Sequence, residues 1–419
     1  MALMSLRSGM SNFSLTYTKN NRNYDGLLGI AYTKMPNLSP WRYAYDENGR
    51  EYNTGEYYII PQYAFTNHGQ LTTDQSNNFS DQRNLVNPLA SAKMAKNQQT
   101  TYDITPELEL EYKLLGLDDS ESQLKYNGRV VMNVYNDYTD KSYPRSLLSY
   151  NYHDIGTAHS YSRKNLAFTT THTLTFQPKF SNSDHVVLAM GRFQLVNGNS
   201  SSQSTDVNRL SNDLESVTSG AHVSSMSSGY NEWREVYFTF SAHYAFKGRY
   251  MLDFSARADG TTKFGPSNRW GYFPALSARW NLVDEPWLEW AREKARLSML
   301  SIRPGWGRVG NPPTADYLFL NKFAMGSRYL GSTSMNPDGL KLTKLKWENK
   351  ITYNVGFDLG FFEDRLKFVV EIYKQTTKDM LMSDAGIPSS NGWSSLAVKN
   401  VGDMENKGWE FQILGDRLL

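Results

Sequence analysis

Gly305, Gly307 and Gly310 stand in the spacing that cradles a dinucleotide pyrophosphate at a strand-to-helix turn. That chemistry needs a helix next, and Asn311, Pro312 and Pro313 cannot open one with its amides aimed at phosphate. The glycines read instead as the exit of a strand into a loop. Seven histidines (His68, His153, His159, His172, His185, His222 and His243) could hold a metal, yet none falls in an HExxH or comparable spacing. Each reads as a surface group of a strand or loop. Asp46 to Gly49 and Asn336 to Gly339 are oxygen-rich turns without the later glutamate that completes a calcium loop. His153 and Asp154 could polarise a hydroxyl, but no G-x-S-x-G elbow supplies one. The absence of cysteine removes thiolate nucleophiles, CxxC zinc clusters and disulfides together, and leaves the redox compartment open. No catalytic, cofactor or metal site can be named, and an enzyme is not expected.

The elements carrying these residues show in the composition. There are 27 Tyr, 20 Phe and 10 Trp, yet only 39% of residues are hydrophobic and mean hydropathy is -0.58. Rings amid many Asn, Ser and Thr fit strands whose two faces meet different solvents. No apolar run approaches the roughly 18 residues of a membrane helix. A net charge of +2 is too balanced for the basic stripe that binds nucleic acid.

Period-two alternation is clearest from Val236. Val236, Phe238, Phe240, Ala242, Tyr244 and Phe246 share one face against Thr239, Ser241 and His243. After the turn at Lys247 to Arg249, Leu252, Phe254, Ala256 and Ala258 continue the apolar face opposite Asp253, Ser255, Arg257 and Asp259. A second hairpin pairs Ile351 to Leu359 with Leu366 to Ile372 around Glu363 and Asp364. Ile104, Leu108, Leu110 and Tyr112 alternate with Glu107, Glu109, Glu111 and Lys113. Weaker strands fall near 11–18, 166–179, 185–196, 270–282, 296–306 and 408–414. Short turns near 181–184, 247–249 and 362–365 alternate with long polar segments at 139–165, 197–232, 307–346 and 377–406. One rim short and the other long is the asymmetry of an outer-membrane β-barrel, whose strands need about 9 to 11 residues to cross. A β-sandwich also has one apolar strand face, but its strands run to about 5 or 6 residues. The fold class is therefore all-β, an antiparallel transmembrane β-barrel.

Several motifs resemble one group of such barrels, the SusC/RagA-type TonB-dependent outer-membrane transporters. The family's strand-loop-strand signature is matched by Arg257, Asp259, Gly260, Phe264 and Gly265, followed by Arg269, Trp270, Gly271, Tyr272, Phe273 and Pro274. Its late "NVGxMxNKGxE" element is matched by Asn400, Gly402, Met404, Asn406 and Gly408. Asn87 to Ala90, Val309 to Asn311, Trp347 with Glu348, and Thr377 to Leu381 add weaker similarities in the family's order. The resemblance implies energised import of a large nutrient, a glycan or oligopeptide, through a barrel lidded by a SusD-like surface lipoprotein and driven by TonB. It implies no cofactor. The family's export signal, TonB-contacting segment and plug are not matched, so residues 1–419 are expected to be a partial barrel domain. About twelve strands are counted where plugged transporters have about 22, and both ends look like cuts. Pro304 departs from the family by sitting inside a strand, where a break or bulge is expected.

The motif residues are expected to be architectural, with Arg257 and Asp259 paired at the loop base. Trp270, Tyr272 and Phe273 suit an aromatic girdle better than a ligand site. Asp253, Arg279, Glu348 and Glu371 are candidates for a wet lumen. Trp306 and Trp393 are candidates for touching solute. Two readings outside transport stay open: a secreted carbohydrate-binding β protein and an outer-membrane adhesin or structural barrel. The turn asymmetry puts 197–232 outside the cell and 247–249 in the periplasm. In intact cells Ser225→Cys should label with an impermeant maleimide and Gly248→Cys should not; the reverse pattern would invert the topology.

Overall fold

The computed structural model describes residues 5–22, 27–33, 40–57, 87–116, 121–144, 147, 156–210, 216–330 and 332–415. His68, His153 and Asp154 lie outside them. Twelve strands form one antiparallel sheet: β1 (Ser5–Asn21), β4 (Lys96–Leu115), β5 (Gln123–Tyr143), β6 (Thr157–Gln177), β7 (His185–Leu210), β8 (Gly220–Phe246), β9 (Tyr250–Thr261), β10 (Trp270–Asn281), β11 (Leu297–Asn311), β14 (Glu348–Phe361), β15 (Leu366–Lys378) and β18 (Met404–Gly415), adjacent in that order. Three two-stranded ribbons stand apart from it: β2 (Trp41–Tyr45) with β3 (Glu51–Tyr57), β12 (Phe323–Tyr329) with β13 (Ser332–Pro337), and β16 (Leu381–Gly386) with β17 (Ser395–Asn400). Helices are short: α1 (Leu27–Thr33), α2 (Pro88–Met94) and α3 (Glu289–Lys294). Asn87 caps α2 by accepting from the Leu89 and Ala90 amides at 3.0 and 3.3 Å. The turn at Asp46 closes β2 on β3, its Oδ1 accepting from the Asn48 and Arg50 amides at 2.9 and 2.7 Å.

Register sorts the side chains into two faces, because directly paired residues of an antiparallel sheet point the same way. One row reads Ala242, Phe254, Leu276, Trp306 and Tyr353 across β8, β9, β10, β11 and β14. The row beside it on the opposite face reads His243, Asp253, Ser277, Gly305 and Asn354. The alternation read from the sequence is therefore shared in register by these five strands. Rings gather on the apolar face. At the short-turn edge His185, Phe246, Tyr250 and Trp280 follow one another at 4.9, 6.3 and 6.0 Å between centroids. Nearer the other edge Phe193, Phe238 and Trp270 do so at 5.2 and 6.2 Å.

Strands extend well beyond the expected limits. Most of 197–232 is ladder: β7 is 26 residues long and β8 is 27, paired from His185 with Phe246 to Leu210 with Gly220. β7 ends only at Leu210 and β8 begins already at Gly220, both well inside the expected loop. Likewise β5 and β6 take up both ends of 139–165, β11 continues to Asn311, and the β12–β13 and β16–β17 ribbons fill parts of 307–346 and 377–406. Gly305, Gly307 and Gly310 lie inside β11, paired with Asn354, Thr352 and Asn349, and not at a loop entrance. Pro304 leaves the β11–β14 ladder continuous, opposite Val355. Its effect falls on the other side, where the β10 pairing skips from Ser277–Gly305 to Trp280–Ile302 without changing register.

Bare glycines are used as seats for rings. A Cβ at Gly198 would lie 2.2 Å from Trp233 Cζ2, at Gly260 3.0 Å from the Trp270 ring, and at Gly271 2.4 Å from Phe273 Cζ. Each ring occupies space that a side chain at the glycine would need.

The two-faced register predicts unequal costs for neighbouring substitutions. Phe254→Arg places a charge on the lipid side and should lower folding stability by about 2–4 kcal/mol, while Ser255→Arg on the opposite face costs far less. Equal yields of heat-modifiable, folded protein from the two variants would show the register to be wrong.

Candidate functional site: a charged inner wall and a folded outer cap

The charged face of β10, β11, β14 and β15 carries a connected network. Ser301 pairs with Asp358 in register, as Gly356 does with Glu371, so four strands bring their polar residues into contact. Asp358 accepts from Ser301 Oγ at 2.7 Å and from Arg303 Nε and Nη2 at 2.8 Å each. The same Nη2 reaches Glu371 Oε1 at 3.1 Å, and Arg279 Nη2 approaches Asp358 at 3.9 Å. A forked guanidinium satisfying two carboxylates is held rigidly where a single-point cation would not be. Arg279 and Glu371 were expected on this wall. Asp358 falls on the polar face that the alternation of its strand predicts, but Ser301 and Arg303, which complete the centre of the network, were not anticipated. A second patch lies on β4 and β5, where Arg129 Nε donates to Glu107 at 2.5 Å and Asn127 Nδ2 to Glu109 at 2.6 Å.

The signature residues build a cap at the long-loop edge. Phe264 is 0% exposed and packs with Phe273, Leu318, Leu345, Trp347 and Val398, joining the β9–β10 loop, the 312–347 segment and the β16–β17 ribbon in one apolar cluster. The Phe264 and Phe273 rings lie 4.9 and 5.4 Å from that of Trp347. Trp347 Nε1 donates to the Asn268 carbonyl at 3.1 Å, and Asn268 Nδ2 to that of Leu345 at 3.0 Å. Arg269 Nε donates to the Phe264 carbonyl at 3.4 Å, and Gly265 lies beside Phe319. Asn400 ties two other segments to its own: its Nδ2 donates to the Lys346 and Asp379 carbonyls at 2.8 Å each, and its Oδ1 accepts from the Lys346 amide at 3.0 Å. Glu348, expected in the lumen, accepts from the Leu381 amide at 2.8 Å and fastens the ribbon.

Arg257 donates to Asp259 at 2.6 Å and lies 4.5 Å over the Tyr237 ring, the pairing expected at the loop base. Asp253 pairs with His243 at 2.6 Å. Gly402 takes a left-handed turn with φ 67°, Met404 opens β18, Asn406 pairs with Gln375, and Gly408 lies under the Tyr373 hydroxyl. Trp270, Tyr272 and Pro274 stand on the apolar face, opposite Gly260, Ala258 and Ala256. Two placements correct the sequence reading. Phe273 is not part of a girdle: one step along the strand turns it to the other face, buried in the cap at 7% exposure. Trp306 does not look into the charged interior, since its register partners are Leu276 and Tyr353 on the apolar face. Trp393 follows the left-handed Gly392 near the tip of the β16–β17 ribbon, half-buried.

At the short-turn edge two carboxylates act as fasteners. Glu285 accepts from Tyr250 Oη at 2.5 Å and Trp280 Nε1 at 3.0 Å, with Arg249 3.7 Å away, and these partners hold its pKa below the ordinary glutamate value. Asp364 is lowered in the same way, first by Ser298 and then by Lys367. A carboxylate depressed in the folded state adds stability above its ordinary pKa and loses it as the pH falls through the depressed value. Both fasteners are therefore intact at neutral pH.

A continuous ladder with one apolar, ring-studded face and one charged face is the wall of a membrane barrel. A family model described as TonB dependent receptor-like, beta-barrel, matches residues 7–418. The chain belongs to that family. Relatives place it with the SusC/RagA type, and it is an outer-membrane protein. TonB-dependent receptor SusC of Bacteroides thetaiotaomicron is 33% identical over 178 residues, covering 41% of this chain and 17% of the relative. TonB-dependent receptor P3 of Formosa agariphila is 31% identical over 199 residues, 46% of this chain and 19% of the relative. Among solved structures, the RagAB peptide importer in its closed-closed state superposes with a TM-score of 0.72 at 18% identity, covering 97% of this chain and 42% of that one. The chain thus matches less than a fifth of these curated relatives' length.

The cap predicts a separable defect. Phe264→Ala removes a fully buried ring and should cost about 3–5 kcal/mol, opening 312–347 to protease from outside the cell. Trp393→Ala should leave protease resistance unchanged; equal resistance of both variants would remove the cap's role as a folded unit.

Proposed function

We propose that this chain forms part of the wall of a TonB-dependent outer-membrane importer of large polar nutrients, oligosaccharides or oligopeptides. The observation carrying this reading is the charged network of Arg279, Ser301, Arg303, Asp358 and Glu371, on the face opposite the lipid-facing rings. Charges fixed on an inner wall suit a wet passage that holds solutes or an inserted domain through polar contacts. A cap of folded segments at the outer edge supplies a surface on which a SusD-like lipoprotein could seat, and the relatives' kinship with SusC and RagAB supports that partnership. The balanced net charge and the many Asn, Ser and Tyr side chains favour a glycan over a strongly charged cargo, and the likeness to the RagAB peptide importer keeps peptides in view. An adhesin using only its outer segments is the second reading. A secreted soluble protein is set aside by the lipid-facing rings and the family.

Deleting the gene from its host should abolish TonB-dependent growth on one class of oligosaccharide or oligopeptide while growth on the monomer persists. Normal growth on every polymer, combined with loss of surface attachment, would replace the importer by the adhesin.

A further inference from the structure

The β10–β11 connection lies on the short-turn rim but is longer than the tight turns at 247–249 and 362–365. It runs through 3-10 turns at Leu282–Asp284 and Pro286–Leu288 into α3 (Glu289–Lys294). Leu282, Leu288, Ala291 and Leu297 are buried together, and the partly buried side chains packed against them include Leu300, Ile302, Leu359 and Phe361. Ile302 pairs with Trp280 and Phe357, and Leu300 with Leu359, so these are residues of the lipid-facing side. Glu285 fastens the segment to Tyr250 and Trp280 on that same side. The connection thus folds outward over the barrel's exterior. Having buried Leu288 and Ala291, it leaves Trp287 and Trp290 at 58% and 59% exposure. Arg292, Lys294 and Arg296 are exposed beside them.

We propose that residues 282–296 are a membrane-interface anchor that binds phospholipid of the periplasm-facing leaflet. The occupant follows from place and chemistry. The underside of the segment covers lipid-facing strand residues, so its flanks border the bilayer, and the ring band of His185, Phe246, Tyr250 and Trp280 runs up to it. Indole combines an apolar body with one N–H donor, which suits the boundary between acyl chains and headgroups. A short amphipathic element with tryptophans on its apolar flank and cations beside them lies in that boundary. A groove of about 980 Å³ between α3 and the 362–365 turn includes Arg292, Arg296, Arg365, Glu289, Glu293 and Glu363 in its lining. Its matched charges fit a zwitterionic headgroup, phosphatidylethanolamine, better than an anionic one.

The test uses the cysteine-free background in receptor reconstituted into nanodiscs of phosphatidylethanolamine with a minor fraction of phosphatidylglycerol. Nitroxides at Trp287→Cys and Trp290→Cys should show collision with oxygen favoured over a water-soluble nickel chelate several-fold relative to Ser183→Cys in the exposed 181–184 turn, and approach the lipid reference Phe254→Cys. Nickel accessibility equal to that of Ser183→Cys at both sites would overturn the proposal. A second measurement needs no variant: in the unmodified receptor, phosphatidylethanolamine carrying a diazirine high on its acyl chain should crosslink to the peptide containing Trp287 and Trp290. Adducts on β11 and β14 with none on that peptide would overturn it as well.

Discussion

A backbone amide in hydrocarbon has no water to turn to, and each one left unpaired costs several kcal/mol. Everything else in this chain is arranged around that constraint. It demands long ladders: β5–β6, β6–β7, β8–β9, β14–β15 and β15–β18 pair residue by residue, while β4–β5 passes over Thr105 and Pro106 and β7–β8 shifts once between Asp206 and Val207. It also explains where irregularity is tolerated. Pro304 costs one donor toward β10, yet the β11–β14 ladder beside it is unbroken, so the loss stays local. Left-handed backbone at Lys247, Phe362, Glu363 and Asp364 is confined to the turns.

Once the ladder is fixed, pleating assigns alternate residues to opposite faces, and the polar face must settle its own charges. Arg303 and Asp358 do so between neighbouring strands, as do Arg129 and Glu107. These pairs are partly solvated, so each adds little stability by itself. Their value is positional: they hold cations and anions at fixed heights along the wall.

The alternation of Phe238, Phe240, Phe254 and Leu252 made the central hairpin legible, because a membrane enforces period two more strictly than a water-exposed sheet does. The same rule hid the outer halves of β7 and β8. Beyond the bilayer both faces meet water, so Ser200 to Thr205 pair in a regular ladder without any hydrophobic rhythm. The Arg303–Asp358 contact was hidden for a different reason. Cross-strand partners 55 residues apart depend on register, which a single strand's pattern does not contain. Phe273 and Trp306 were misplaced by treating aromatic clusters as units, when one step along a strand reverses the face. Family motifs located the cap, although its function as a packed cluster around Phe264 needed coordinates.

The rings seated over Gly198, Gly260 and Gly271 change the unit on which mutation can act. A side chain added at Gly198 displaces Trp233, and a smaller residue at Trp233 uncovers bare backbone at Gly198. Neither change is harmless alone, while both together restore a filled surface. In diverging copies of this barrel such couples should be inherited as pairs, and the paths between alternative wall surfaces should run through double replacements instead of single steps.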